Sequence, residues 1–375
     1  MKRVFKMAID LLWVKHNKVG GVESCIRNIL DGLMELDEEY HIYLLVSRDN
    51  ADSFSEYERD RRFKLVRCNV QSEKVAKRII WQNMYLGKTL KRCSVDICFE
   101  PHNYIPLLGV NDIKFITTIH DLQPEHYPEY FSKKKVLWYK LNWKNTLKHA
   151  EKIIAISNFV KEDINNCFPG FSKKIKVIYD PIYVNKDCAN TDEILKKYGI
   201  EKKNYYYTVS SMQPHKNLDT IVRVIYEINK RHIDLPQKLL ISGIGGDLKG
   251  DLEKKLERYG IENNVIITGF VSNEERNTLY QNCRAFLFPS VFEGFGMPPI
   301  EAMMLGVPVI TTRKSCLEEV TRGEAEYVND PYSIDEWIKI MKKTKDNYAT
   351  EKDFPEYQRT KIAKDYYNSF IELDE

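Results

Sequence analysis

The sequence predicts an α/β protein built from two doubly wound parallel-sheet domains. Three observations carry this reading. Short apolar runs of strand length alternate with longer stretches at helical spacing almost throughout the chain. The alternation breaks near Tyr179, where Asp180-Pro181 and a polar stretch from Asn185 to Asp192 intervene, and then restarts. Both halves contain glycine-bearing turns between a strand and a helix, where such folds collect ligands.

The elements follow in order. Val4 to Val14 starts apolar and ends in a loop, Lys15 to Gly21. Val22, Ile26, Ile29, Leu30, Leu33 and Met34 then repeat at helical spacing. Strands are expected at His41 to Ser47, Val95 to Glu100, Ile113 to Ile119, Lys152 to Ser157 and Lys176 to Tyr179. The second half reads as a strand at Tyr205 to Ser210, a helix at Leu218 to Lys230 and a strand at Lys238 to Ser242. A helix at Asp251 to Tyr259, a strand at Val265 to Thr268 and a helix at Glu274 to Cys283 come next. A strand at Ala285 to Phe288 precedes a helix from Pro299 to Leu305, because Pro is at home in a first helical turn. A strand at Val307 to Thr311 and a terminal helix at Tyr357 to Leu373 complete the pattern. The expected domains are 1–182, 183–355 and a terminal helix within 356–375 that crosses back to the first domain.

Composition narrows the function classes. The 375 residues suit two or three domains at roughly 150 residues each. A net charge of +3 is too small to imply nucleic acid. The eight cysteines form no C-x-x-C pair and no cluster with histidine, which argues against a zinc site or a disulfide scaffold and fits a reducing, cytoplasmic setting. The basic start Met1-Lys-Arg is followed by too short an apolar run for a signal peptide, and no stretch is long enough to span a membrane.

The most informative stretch is Phe288-Pro-Ser-Val-Phe-Glu-Gly-Phe-Gly-Met-Pro-Pro-Ile-Glu301. It sets Glu293 and Glu301 on either side of a loop containing Gly294 and Gly296. A strand–glycine–helix corner exposes backbone N–H groups to phosphates and sugar hydroxyls, and two carboxylates there can accept from vicinal hydroxyls. A nucleotide-sugar fits better than a bare phosphate, although acids near a helix N-terminus are also favoured by the dipole alone.

Four further segments carry chemistry. Gly20-Gly21-Val22-Glu23 opens the first helix, either as a close-approach site or as a simple helix start. His120 ends a strand and can serve an acceptor hydroxyl, or be a capping histidine held by Asp121. Lys216, in Gln-Pro-His215-Lys216-Asn217, can neutralise a diphosphate or be a solvated lysine. Ser242-Gly243-Ile-Gly245-Gly246 is a weaker glycine turn. No Asp-x-Asp occurs to hold a metal-bound diphosphate. Lys133, Lys134, Lys135, Lys140, Lys144 and Lys148 punctuate an aromatic, acid-free helical stretch, which suits either an anionic membrane surface or an ordinary solvated helix face.

Taken in order, these pieces resemble glycosyltransferase family 4, the retaining transferases of GT-B fold, whose two Rossmann-like doubly wound domains face each other across a cleft. The resemblance covers nearly the whole chain. It rests on Gly-Gly-Val-Glu, His-Asp-Leu, Ile154-Ala-Ile-Ser157, Pro-His-Lys-Asn and the two signature glutamates Glu293 and Glu301. The branch it looks most like builds bacterial O-antigen, lipopolysaccharide and capsule, with mannosyl- or rhamnosyltransferases among its members. It implies an N-terminal acceptor-binding domain and a C-terminal domain binding a nucleoside diphosphate sugar.

By that resemblance His120, Glu293 and Lys216 are the catalytic candidates. The donor set is Gly20, Gly21, Ser211, Lys216, Gly243, Glu293, Gly294, Phe295, Gly296, Met297 and Glu301, with Glu293 on the sugar and Glu301 on the ribose. Many members carry an arginine shortly before the lysine; here the stretch reads Ser210-Ser211-Met212, which leaves Arg313 or Arg322 as candidate replacements. The implied reaction is metal-independent, with no cofactor, and moves a hexose or deoxyhexose with retention. Its acceptor is a saccharide, which the branch often carries on a polyprenyl diphosphate at the inner face of the cytoplasmic membrane. GDP-mannose, a dTDP-rhamnose and UDP-sugars all stay open as donors. A small soluble acceptor, a nucleotide-sugar epimerase and a catalytically idle nucleotide- or glycan-binding protein are the competing readings.

Overall fold

A computed structural model describes residues 4–15, 20–110, 112–344 and 350–374. Part of the basic start and residues 16–19 of the Lys15 to Gly21 loop lie outside them. The chain divides into two compact units, Met1–Ile182 with Pro355–Glu375, and Tyr183–Phe354.

The first unit is built on a seven-stranded sheet. Its strands are β1 (Phe5–Asp10), β2 (Tyr40–Val46), β3 (Phe63–Arg67), β4 (Ile97–Glu100), β5 (Lys114–Ile119), β6 (Ala150–Ala155) and β7 (Ile175–Val177). They lie in the order β3-β2-β1-β4-β5-β6-β7, every pair parallel. Parallel strands covered on both faces must be apolar throughout, and β4 is buried at every position. The order reverses between β1 and β4, so the carboxyl ends of those strands, Asp10 and Glu100, flank the crevice where such sheets bind ligands.

The last helix, Arg359–Ile371, completes this unit's core. Ile362, Ala363, Tyr366 and Phe370 pack with Phe5, Tyr40 and Phe99. Phe99 meets the rings of Tyr366 and Phe370, each at 5.4 Å. Gly32 of helix Gly21–Met34 admits this close approach, because a Cβ there would lie 2.5 Å from the Arg359 carbonyl oxygen.

The second unit carries six strands, β8 (Tyr205–Val209), β9 (Lys238–Ser242), β10 (Val265–Gly269), β11 (Phe286–Phe288), β12 (Val309–Thr312) and β13 (Glu326–Val328). Their order is β10-β9-β8-β11-β12-β13, again all parallel. The reversal falls between β8 and β11. The Ser210–Asn217 turn leaves the first of these and the glutamate-bearing stretch leaves the second.

The periodicity located most strands within one or two residues and overlooked β3 and β13, together with helices Val75–Trp81, Asn158–Cys167, Thr191–Tyr198 and Ile334–Lys343. Both strands are sheet edges in which charged residues break the apolar run, Phe63-Lys-Leu-Val-Arg67 and Glu326-Tyr-Val328. The helix expected from Pro299 begins at Met297, with the prolines inside its first turn. The helix expected from Asp251 begins at Asp247.

Candidate active site

The second unit gathers the charged candidates. The Pro214–Lys216 turn is fixed from both ends. The His215 carbonyl accepts from Val291 N–H at 2.8 Å and from Ser290 Oγ at 3.1 Å. Asn217, in the left-handed region, donates Nδ2 to the Pro289 and Pro331 carbonyls. These bonds carry Lys216 to the glutamate loop, where its Nζ lies 2.7 Å from Glu293 Oε1. The pair is largely shielded, with 23% and 12% of the two side chains exposed. Burial, with Lys216 next to it, pushes the His215 ring down to about 4.

The glutamate loop is held from below. Glu293 N–H donates to Ser315 Oγ at 3.0 Å, and Cys316 Sγ reaches the carbonyls of Glu293 and Phe295. Gly294 and Phe295 are buried. Gly296 takes φ +91°, and a Cβ there would sit 2.9 Å from Leu317 Cδ2. Helix Met297–Met304 follows with no side-chain cap, and because Pro298 and Pro299 carry no N–H, its first turn presents only the Met297 N–H. Glu301 on that helix has different company. Tyr280 Oη is 3.4 Å from its Oε2 and Arg276 is 3.8 Å from its Oε1. Gly243, at φ +94°, lets β9's exit pass close to Ser210, whose carbonyl oxygen would be 2.8 Å from a Cβ. Ser211 is half-buried in the adjoining turn.

Neither candidate replacement for the family arginine is unengaged. Arg313 pairs with Glu318 and lies over the Tyr327 ring. Arg322 pairs with Glu324 at 3.0 Å and lies over Phe354. Met212, which stands near the arginine's usual position, packs against the unit's apolar core. Arg276, Tyr280 and Ser315 were not foreseen. They lie outside any local motif and reach the glutamates only through packing of separate elements.

The first unit holds the remaining candidates. Gly20 is the N-terminal boundary of helix Gly21–Met34, also without a side-chain cap. Both glycines line a cavity of about 770 Å³ with Trp13, Ile79, Trp138 and Tyr139. Arg78 and His102 reach the same cavity. Beside Arg78 lies a buried carboxyl pair at the sheet's reversal point. Asp10 Oδ2 accepts from Gln82 Nε2 at 2.8 Å. Burial raises both Asp10 and Glu100; Asp10 beside it pushes Glu100 further, well above its ordinary value, whereas hydrogen bonds from Gln82, Leu12 and Glu100 hold Asp10 back. Arg78 Nε, Gln82 Oε1 and Glu100 Oε1 are buried without a hydrogen-bond partner among the described residues. Such a cluster of unsatisfied polar atoms is uncommon in a native fold.

His120 adjoins this cluster. Its Nε2 lies 2.9 Å from the Pro101 carbonyl oxygen, so Nε2 carries the proton and Nδ1 is the acceptor of the neutral ring. The Asp121 carboxylate that follows it accepts from Gln123 N–H at 2.9 Å. Burial, with His120 and Arg78 nearby, pushes His102 down to about 3. The expectation that no cysteine lies by a histidine is corrected as well. Helix Asn158–Cys167 brings Cys167 and Asp163 to His126, with Nε2 at 2.6 Å from Asp163 Oδ1. That separation is a hydrogen bond between residues 37 apart, which sequence spacing does not reveal.

Residues 19–186 match the model described as Glycosyltransferase Family 4, and residues 190–361 the model described as Glycosyl transferases group 1. The chain is 33% identical over 261 residues to the O-antigen chain mannosyltransferase RfbU of Salmonella typhimurium, covering 68% of either chain. It is 30% identical to O-antigen chain mannosyltransferase B of Escherichia coli, over 59% of this chain and 58% of that one. Anabaena HepE, solved with UDP and glucose, superposes with a TM-score of 0.68 at 18% identity, over 99% and 98% of the two chains. WaaG, a glycosyltransferase involved in lipopolysaccharide biosynthesis, gives 0.68 at 15% identity, over 97% and 95%. At such identities the structural likeness speaks for the fold alone.

Proposed function

The chain belongs to glycosyltransferase family 4, with the GT-B fold, and from that premise we propose that it moves a hexose from a nucleoside diphosphate sugar to a saccharide hydroxyl in surface-polysaccharide assembly. The observation that carries this reading is the Lys216–Glu293 pair at an uncapped helix start behind a glycine corner.

An ammonium has three donors and a carboxylate about four acceptor positions, so the pair leaves capacity on both sides. Lys216 turns to the departing diphosphate and stabilises the charge that develops there. Glu293, relieved of part of its partner, accepts from donor-sugar hydroxyls. The N–H groups of Gly294 to Met297 receive the phosphates, aided by the helix dipole. Glu301, oriented by Tyr280 and Arg276, accepts from the ribose hydroxyls. The cations Lys216 and Arg276 supply the positive charge, and the reaction proceeds without a metal and with retention.

The first unit takes the acceptor. Its aromatic cavity suits a sugar ring, and the unpaired atoms of Arg78, Gln82 and Glu100 suit sugar hydroxyls. His120, with Nδ1 available, is the group nearest to a role in moving the acceptor proton. The names of the mannosyltransferase relatives support mannose as the sugar moved, and we complete this with GDP-mannose as donor and a lipid-linked saccharide as acceptor.

A thermal-shift screen against UDP, GDP, dTDP, ADP and CDP sugars, with and without EDTA, tests the donor reading. One nucleotide should raise the melting temperature by mass action, and EDTA should leave the shift unchanged. No shift with any of them returns the chain to the idle-scaffold reading.

A further inference from the structure

Three segments of the first unit, 74–95, 101–111 and 130–150, hold 12 of the chain's 57 lysines and arginines and none of its 54 acids. The remaining residues therefore carry 45 basic against 54 acidic side chains. The segments are distant in sequence and packed together in space. Asn83 donates Nδ2 to Tyr104 Oη at 2.8 Å and accepts the N–H groups of Leu107 and Leu108 at 2.9 and 3.2 Å. From the other side, Asn142 and Asn145 of helix Lys133–His149 donate to the carbonyls of Asn103 and Ile105, each at 2.8 Å. The Tyr104 ring stacks against Trp138. The 103–109 loop is thus clamped between the helical segment 75–92 and helix Lys133–His149.

All three segments turn apolar side chains outward. Ile80, Met84, Leu107, Leu108, Leu137 and Leu141 are each more than half exposed. Single exposed apolar residues need no explanation, but six from three adjoining segments do. They are not required by the core, since helix Lys133–His149 already buries Trp143, Thr146 and Leu147 on its inner side. On its outer side Lys134, Leu137, Leu141, Lys144 and Lys148 share one stripe at spacings of three and four. Lys133, Lys134, Lys144 and Lys148 are exposed and meet no acid among the described residues, whereas Lys140 pairs with Glu125 at 3.1 Å.

We infer that this face docks on an anionic bilayer. Leucines and the methionine enter the boundary between headgroups and acyl chains while the lysines meet headgroup phosphates. Charge decides between occupants. Acids reach this face only at its margins, where Asp112 pairs with Lys91 and Glu125 with Lys140, so a second copy would oppose one cationic face with another. Nucleic acid would use the cations and leave the leucines in water. No helix among the described residues is long and apolar enough to cross a membrane, so the contact is interfacial. The same two helices line the aromatic cavity through Ile79 and Trp138. A lipid-borne acceptor would therefore reach it without leaving the interface, a consequence that rests on the acceptor reading above; the docking itself does not.

Flotation of the full chain with vesicles tests this without donor or acceptor. The chain should bind phosphatidylcholine vesicles containing about a quarter phosphatidylglycerol, and leave pure phosphatidylcholine vesicles unbound. Replacing Lys133, Lys134, Lys144 and Lys148 by Gln should weaken binding at least about tenfold. Ile80→Ser, Met84→Ser, Leu137→Ser and Leu141→Ser together should abolish whatever binding survives high salt. On the unaltered chain, which has five tryptophans, lipids brominated near the headgroup should quench part of the tryptophan fluorescence, a readout that needs no variant. Equal binding to both vesicle types, binding to neither, or undiminished binding by both variant sets overturns the inference. So does a concentration-dependent dimer that the serine set abolishes, which would assign the face to a second copy. The nucleotide-induced thermal shift should be the same in all variants, so failure here and failure of the donor reading are separate results.

Discussion

The two units offer ligands opposite surroundings at equivalent points of their sheets. At the β8–β11 reversal the second unit presents charges that are paired but reachable, Lys216 with Glu293, on a backbone held by hydrogen bonds. At the β1–β4 reversal the first unit presents an aromatic cavity beside two acids that burial keeps from ionising freely. The difference fits what each unit is proposed to recognise. A diphosphate carries fixed charge, so ready-made cations and helix N–H groups suit it. A sugar ring is neutral and amphipathic, so rings and neutral hydrogen-bonding groups suit it.

The largest effect should come from breaking the charged pair. Lys216→Ala and Glu293→Ala should each slow nucleotide release from the donor that the screen identifies by about 10²–10³-fold, the loss typical when one stabilising group is removed from developing charge. Near-normal turnover in either variant removes that residue from the mechanism.

A smaller contrast lies in the glycines. Gly296→Ala forces a side chain into φ +91° against Leu317, which should cost about 1–3 kcal/mol and appear as a lower melting temperature. Gly20→Ala has open space and φ −131°, so its cost should stay within about 0.5 kcal/mol. If Gly20→Ala keeps its stability yet loses turnover, that glycine is there for a ligand.

The pH dependence should run in opposite senses at the two reversal points. Glu100 stays protonated in the fold above its ordinary 4.5, whereas the unfolded chain ionises there. Folding is therefore opposed increasingly as pH rises above that value. His215 is held down to about 4, whereas the unfolded chain takes up a proton near 6.5. Stability is lost as pH falls through that interval. The melting temperature of Glu100→Gln should gain on the parent with rising pH, and that of His215→Gln should gain with falling pH. Parallel melting curves across the range would refute the assigned burial of these groups.

The smallest effect is expected at Arg313 and Arg322. Both are occupied by local acids and rings, so their alanine variants should change the donor's apparent affinity less than about threefold. A larger loss in either would make it the missing diphosphate cation.

Much of this was legible before any coordinates. Strand-length apolar runs and helical repeats are local, so Leu218–Lys230 and Lys238–Ser242 were read to the residue. The edge strands β3 and β13 were missed because Lys64 and Arg67 in the one and Glu326 in the other break their apolar runs. The glutamate loop and the Pro-His-Lys-Asn turn were visible as motifs, because glycine and proline mark backbone constraints within a few residues. Their meeting was not, since Lys216 and Glu293 are 77 residues apart and join only because β8 and β11 are neighbours.

What the sequence determined alone is the alternation, the two-domain division near 180 and the chemistry available at each turn. All of it is written in residues close along the chain. The tertiary structure alone decided which distant groups share a site. Arg276 reaches Glu301, Asp10 meets Glu100 across adjacent strands, and the 103–109 loop ties two acid-free helices into one cationic, apolar face. Pairing of strands and packing of helices set those neighbours, and neither leaves a local periodic trace for a sequence to show.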